Sequence, residues 1–69
     1  MTLNEIFAKN LSILLEERGI SGREAARICG THQSHLANLL NGKIGASLTL
    51  VDKICSGFGL DPSAMMEED

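Results

Sequence analysis

An all-α fold, a bundle of about five short helices, is what this sequence predicts, and three observations carry the prediction. Apolar residues return at three- and four-residue intervals in successive short segments, and no stretch alternates as a strand would. Capping residues and glycines punctuate those segments. Phe7 and Phe58 are the only aromatics, so the core must come from Leu, Ile, Val, Ala and Met, which suits helix packed on helix. A chain of 69 residues allows one domain with one small core. Residues 1–66 are assigned to it and residues 67–69 to an acidic tail.

The first helix opens on Thr2-Leu3-Asn4-Glu5, a capping box in which Thr2 caps the helix start and Glu5 reaches back. Leu3, Phe7, Leu11, Leu14 and Leu15 follow at helical spacing, and Gly19 ends the helix. Ser21-Gly22-Arg23-Glu24 reads as a second capping box, opening a short helix that carries Ala25, Ala26, Ile28 and Cys29. Gly30 stops it, and the chain restarts at Thr31 or His32, so a very tight turn separates the second helix from the third. The third helix runs over 33–41 and stops at Gly42, and residues 43–46 form a loop. Ser47 caps a fourth helix in which Leu48, Val51, Ile54, Cys55 and Phe58 share a face, with Gly57 and Gly59 weakening its end. Asp61 caps a short fifth helix with Pro62 at its first position, and this helix holds Met65 and Met66.

Composition narrows the function. No apolar run approaches the length of a membrane span, and no signal-peptide pattern opens the chain, so a cytoplasmic location is the expectation. Cys29 and Cys55 both continue the apolar pattern of their helices and read as buried free thiols. The net charge of −3 is unevenly spread. Glu67, Glu68 and Asp69 carry three of the negative charges, and residues 1–66 balance at six basic and six acidic side chains. Between residues 18 and 43, Arg18, Arg23, Arg27 and Lys43 face Glu24 alone, leaving that segment locally +3. A basic middle with an acidic end suits a nucleic-acid-binding face beside a solvated tail.

No catalytic constellation emerges, and no cofactor is expected. The six serines have no His-plus-carboxylate arrangement beside them, and Glu16 and Glu17 stand at a helix end as solvated surface. Cys29, His32 and His35 are spaced by three but straddle a turn and lack a fourth ligand, so no metal is assigned. A DNA contact or plain exposure is the better reading of the two histidines.

Two short helices joined by a tight glycine-containing turn form a helix-turn-helix. Ala26 supplies the small residue where the helices cross, and Gly30 the residue that tolerates positive φ in the turn. At about 100° per residue, Leu36, Leu39 and Leu40 of the third helix cluster on one side. Ser34, Ala37, Asn38 and Asn41 cluster opposite them, with Gln33 and His35 on the flanks. That outward face is uncharged and rich in amides and hydroxyls, which hydrogen-bond base edges in the major groove; Asn and Gln suit adenine.

Residues 20–42, ISGREAARICGTHQSHLANLLNG, resemble the helix-turn-helix of the phage-repressor and Cro-type (lambda-repressor-like) family, and the resemblance continues through Asn41-Gly42-Lys43, SLTLVDKI and GLDPSAMM. It implies a bundle of about five helices whose third helix enters the major groove of duplex DNA, bound as a homodimer on a two-fold-related operator. By position, Gln33, Ser34 and Asn38 resemble the family's base readers, with His35 beside them. Arg23, Asn41 and Lys43 resemble its phosphate contacts, and Arg18 and Arg27 are further candidates. Arg27 has an alternative, a pair with Glu24 on its own helix. The chain departs from the family pattern at Gly22, Thr31 and His32, and its third helix has no Arg or Lys. Ile44, Met65 and Met66 are candidates for an apolar patch that meets a twin. The chain fits a complete small regulator and equally the N-terminal domain of a longer repressor.

Two other function classes remain open on the sequence. A protein-interaction module of the same fold is favoured by the negative net charge and the uncharged third helix, and disfavoured by the basic segment. A metal- or redox-sensing regulator would use Cys29 and Cys55, and thiol titration of the folded protein separates it.

Overall fold

The computed structural model describes residues 2–67. Five helices follow one another: α1 Leu3–Arg18, α2 Gly22–Cys29, α3 Gln33–Leu40, α4 Leu48–Phe58 and α5 Pro62–Met65. Among the described residues there is no strand. Of the acidic tail, Glu68 and Asp69 lie outside the described residues.

The helix starts follow local chemistry. Thr2 Oγ1 accepts the Glu5 N–H at 3.2 Å, and the Glu5 carboxylate accepts the Thr2 N–H at 3.0 Å, completing the expected capping box. The Thr2 N–H also holds the Glu5 carboxyl below the usual carboxylate range. The second box is one-sided. Ser21 Oγ accepts the Glu24 N–H at 3.2 Å, but the Glu24 carboxylate is taken by Arg27 instead of reaching back. Ser47 Oγ accepts from Leu50 at 3.1 Å, and Asp61 Oδ1 from Ser63 at 3.1 Å, with Pro62 at the first helical position.

α2 packs on α3 and α4, α1 on α3 and α5, and α4 on α5. Phe7, Leu11, Leu36, Leu39 and Ile54 are the largest fully buried side chains, so α1, α3 and α4 meet at the centre of the core. Among the described residues no polar or charged side chain is buried with them. Periodicity misplaces two leucines. Leu3 and Leu48 are 64% and 89% exposed, while Ile6 and Leu50 are buried. Both exposed leucines stand at the first position of their helix, where a side chain leans back toward the N-terminus and past the edge of the core.

Three contacts fix the helices across long sequence distances. Gly57 is a place of close approach: a Cβ there would lie 3.0 Å from the Ile28 carbonyl oxygen and 3.1 Å from Cys29 Cα. Asn10 of α1 donates through Nδ2 to the carbonyls of Met65 at 2.7 Å and Glu67 at 2.9 Å, tying the end of α5 down. Asn4 accepts the Ala46 N–H at 3.0 Å, tying the loop before α4 to α1.

Candidate nucleic-acid interface

The turn between α2 and α3 is built by Gly30. Its φ of 71° and ψ of 34° put it in the left-handed region, which glycine reaches without a Cβ penalty. The Thr31 N–H then donates to the Ala26 carbonyl at 3.0 Å, and the Gly30 N–H to Arg27 at 3.3 Å, satisfying carbonyls that the end of α2 leaves open. Three residues therefore separate the helices, and α3 begins at Gln33. His32 stands at the N-cap of α3 but makes no side-chain capping bond, so its departure from Ser or Thr leaves the first N–H groups of α3 without a side-chain partner.

Leu36 and Leu39 anchor α3 in the core, each 1% exposed. That anchoring turns Gln33, Ser34, His35 and Ala37 outward, with Asn38 half-buried at the edge of the same face. α3 ends at Leu40, one residue before the expected end. Asn41 is its C-cap, donating its N–H to Ala37 at 3.0 Å. The Lys43 N–H donates to the Asn38 carbonyl at 2.8 Å, so the backbone at Lys43 is fixed directly to α3 while its side chain is exposed.

An open cleft of about 390 Å³ lies where the start of α2 faces the start of α3, and Ser21, Arg23, Arg27, Thr31, His32 and Gln33 are among the residues lining it. The structure thus brings Arg23 and Gln33 together. Arg27 is at the same cleft but is engaged. Its Nε donates to Glu24 at 3.1 Å, and Nη2 closes a second bond to the same carboxylate. The pair lowers the Glu24 pKa and raises that of Arg27. The Glu24 pairing anticipated as one alternative for Arg27 is therefore present. Among the described residues it is the only ion pair, and Arg23 and Lys43 have none.

The remaining candidates are dispersed. Arg18 holds its guanidinium 5.6 Å from the centre of the Phe58 ring, a cation–π contact with α4. Ile44 and Met66 are half-buried against the core. Met65 is 6% exposed and belongs to the core itself. Its expected place on an exposed apolar patch is thus corrected, because the Asn10 bond to its carbonyl and the packing of α5 on α1 and α4 turn the side chain inward.

Cys29 and Cys55 are buried free thiols, and burial pushes both pKa values up. His32 and His35 are exposed while Cys29 is buried, and no group of three His, Cys, Asp or Glu among the described residues is placed to hold a metal ion. Among the described residues no helix is long and apolar enough to cross a membrane. Sequence reasoning missed Asn4, Asn10 and Gly57. Each acts through a partner distant in sequence, and none carries a local signal of that partner.

Comparison with known proteins bears on this geometry. The Helix-turn-helix family model matches residues 11–64, which includes α2, the turn, α3 and α4 entire. No curated protein matches the chain. Among solved structures, the clp gene regulator ClgR from C. glutamicum superposes with a TM-score of 0.83 over 96% of this chain and 86% of its own, at 21% identity. At that identity the likeness shows the fold, and it is the same helical fold. The family model and the built turn agree on the motif: the chain belongs to the helix-turn-helix family of the phage-repressor and Cro type, a family of DNA-binding regulators.

Proposed function

We propose that the chain binds double-stranded DNA sequence-specifically and regulates transcription as a repressor, with α3 in the major groove. The observation that carries this is the division of labour on α3. Leu36 and Leu39 are fully buried, so the helix is held rigidly while Gln33, Ser34 and His35 face out. Gln33, Ser34 and Asn38 read base edges, with His35 at the flank. Arg23, Asn41 and Lys43 hold phosphates on either side of the helix, and N–H groups at the start of α2 add a further phosphate contact. Arg27 reaches a phosphate only by leaving Glu24, and Arg18 only by leaving Phe58, so both rank behind Arg23 and Lys43.

The protein acts as a homodimer on a two-fold-related operator, and occupancy excludes polymerase from an overlapping promoter. With Met65 spent on the core, Ile44 and Met66 remain as the candidate contacts, and the exposed Leu48 joins them. A cytoplasmic location goes with this reading. The second reading, a protein-binding module with little DNA affinity, is favoured by the uncharged outer face of α3 and the net charge of −3.

Amide shift mapping with mixed-sequence duplex at low salt separates them. Perturbation centred on residues 21–23, 33–38 and 41–43 supports DNA binding through this face. Perturbation centred on α4 and α5, or none, contradicts it.

A further inference from the structure

One side chain outside the helix-turn-helix reaches the loop that follows α3. Asn4 lies on the first turn of α1, and its Oδ1 accepts the Ala46 N–H at 3.0 Å across 42 residues of sequence. The contact depends on a glycine next door. A Cβ added at Gly45 would lie 2.8 Å from Asn4 Nδ2 and 3.3 Å from its Cγ. Gly45 does not have the positive φ found at Gly19, Gly30, Gly42 and Gly59, so space for the Asn4 amide is what the absent side chain provides. The other end of the loop is fixed to α3 by the Lys43 N–H on the Asn38 carbonyl at 2.8 Å. Residues 43–46 are therefore strung between α3 and α1, with Ile44 half-buried against the core.

We propose that Asn4 is a positioning residue of the DNA interface: by gripping the backbone at Ala46 in the space left by Gly45, it fixes the loop that presents Lys43 beside α3. The inference rests on the DNA-binding reading above. A loop held at one end only must be ordered when phosphate is bound, and that ordering is subtracted from affinity. Held at both ends, the loop is ordered before DNA arrives. Asn4 itself needs no contact with DNA; its effect passes through Lys43.

The test compares wild type, Asn4→Ala, Gly45→Ala, Lys43→Ala and the double variants, measured by anisotropy on a fluorescent mixed-sequence duplex over a salt series. Exchange of the Ala46 amide is followed in the same proteins, with the Leu36 and Leu39 amides as the folding control. Asn4→Ala and Gly45→Ala are each expected to weaken binding about threefold to tenfold, the range of one lost hydrogen bond. Ala46 exchange should rise while Leu36 and Leu39 stay protected. Gly45→Ala should add nothing once Asn4 is Ala, because its Cβ then meets no amide. Asn4→Ala should likewise add little once Lys43 is Ala.

An Asn4→Ala effect of equal size with and without Lys43 overturns the proposal. So does full additivity between Asn4→Ala and Gly45→Ala, or unchanged affinity of Asn4→Ala while wild type binds. Wild-type protein that binds no duplex at low salt overturns the DNA-binding reading, and this proposal with it. The Ala46 amide separates the two failures, since it reports the grip on the loop without any DNA.

Discussion

Asn38 sits half-buried at the edge of the exposed face of α3, and its carbonyl also holds the Lys43 backbone. Its side chain and that of Lys43 should behave differently when removed. Asn38→Ala is expected to relax preference at one base position, costing about 1–3 kcal/mol there. Lys43→Ala should weaken all sequences alike and lower the salt slope by about one. Parallel binding to single-base variants of one site distinguishes the two patterns. The thiols give a second residue-scale prediction. Burial raises the pKa of Cys29 and Cys55 in the folded state, so both should react slowly with a thiol reagent until the chain unfolds. A raised folded value means the thiols favour the fold below the ordinary thiol pKa, and that contribution is lost as pH rises above about 8.5. Denaturant midpoints at pH 7 and pH 10 should therefore fall with pH, and less so with Cys29→Ala. Fast, equal reaction of both thiols in the folded protein would instead revive the redox-sensing alternative.

At the scale of the helices, α2 meets α4 at Gly57 so closely that a methyl group there would make the α2 backbone give by a few tenths of an ångström. Gly57→Ala gains helix propensity of about 1 kcal/mol but drives a Cβ into the backbone at Ile28 and Cys29, where overpacking costs about 1–3 kcal/mol. We expect a net fall in melting temperature of a few degrees. Gly22→Ala is the control, since its Cβ meets nothing within 4 Å and α2 should tolerate or welcome it. Equal effects of the two would contradict the close approach. α3 carries the opposite opportunity. His32 makes no capping bond, so His32→Ser should add about 0.5–1 kcal/mol of stability, read from denaturant midpoints. The helices themselves were legible in the sequence because their starts are local: Thr2, Ser21, Ser47 and Asp61 each cap within three residues. Gly30 and the leucines of α3 were legible for the same reason. What was not legible is tertiary. Nothing near Met65 says that Asn10, 55 residues away, ties its carbonyl down. Gly57 lowers the helix propensity of α4, and nothing near it in sequence says that the α2 backbone packs against it.

For the whole molecule, charge and shape point in different directions. The net charge of −3 opposes a polyanion, yet two of the positive side chains without an ion pair among the described residues, Arg23 and Lys43, flank α3 at its two ends. A monomer with so few cations beside α3 should bind weakly, which makes pairing on DNA the expected source of affinity. Sedimentation with a two-fold-related duplex should show two protomers per duplex, and Leu48→Glu should reduce this to one without lowering the melting temperature, since Leu48 is already exposed. The most direct test of the central claim is selection of binding sites from random duplex DNA by the purified protein. The account predicts a two-fold-related consensus with half-sites about one helical turn apart, in which Asn38→Ala loosens a single position of each half. No consensus even at low salt would contradict it, and would leave the fold as a scaffold for a protein partner.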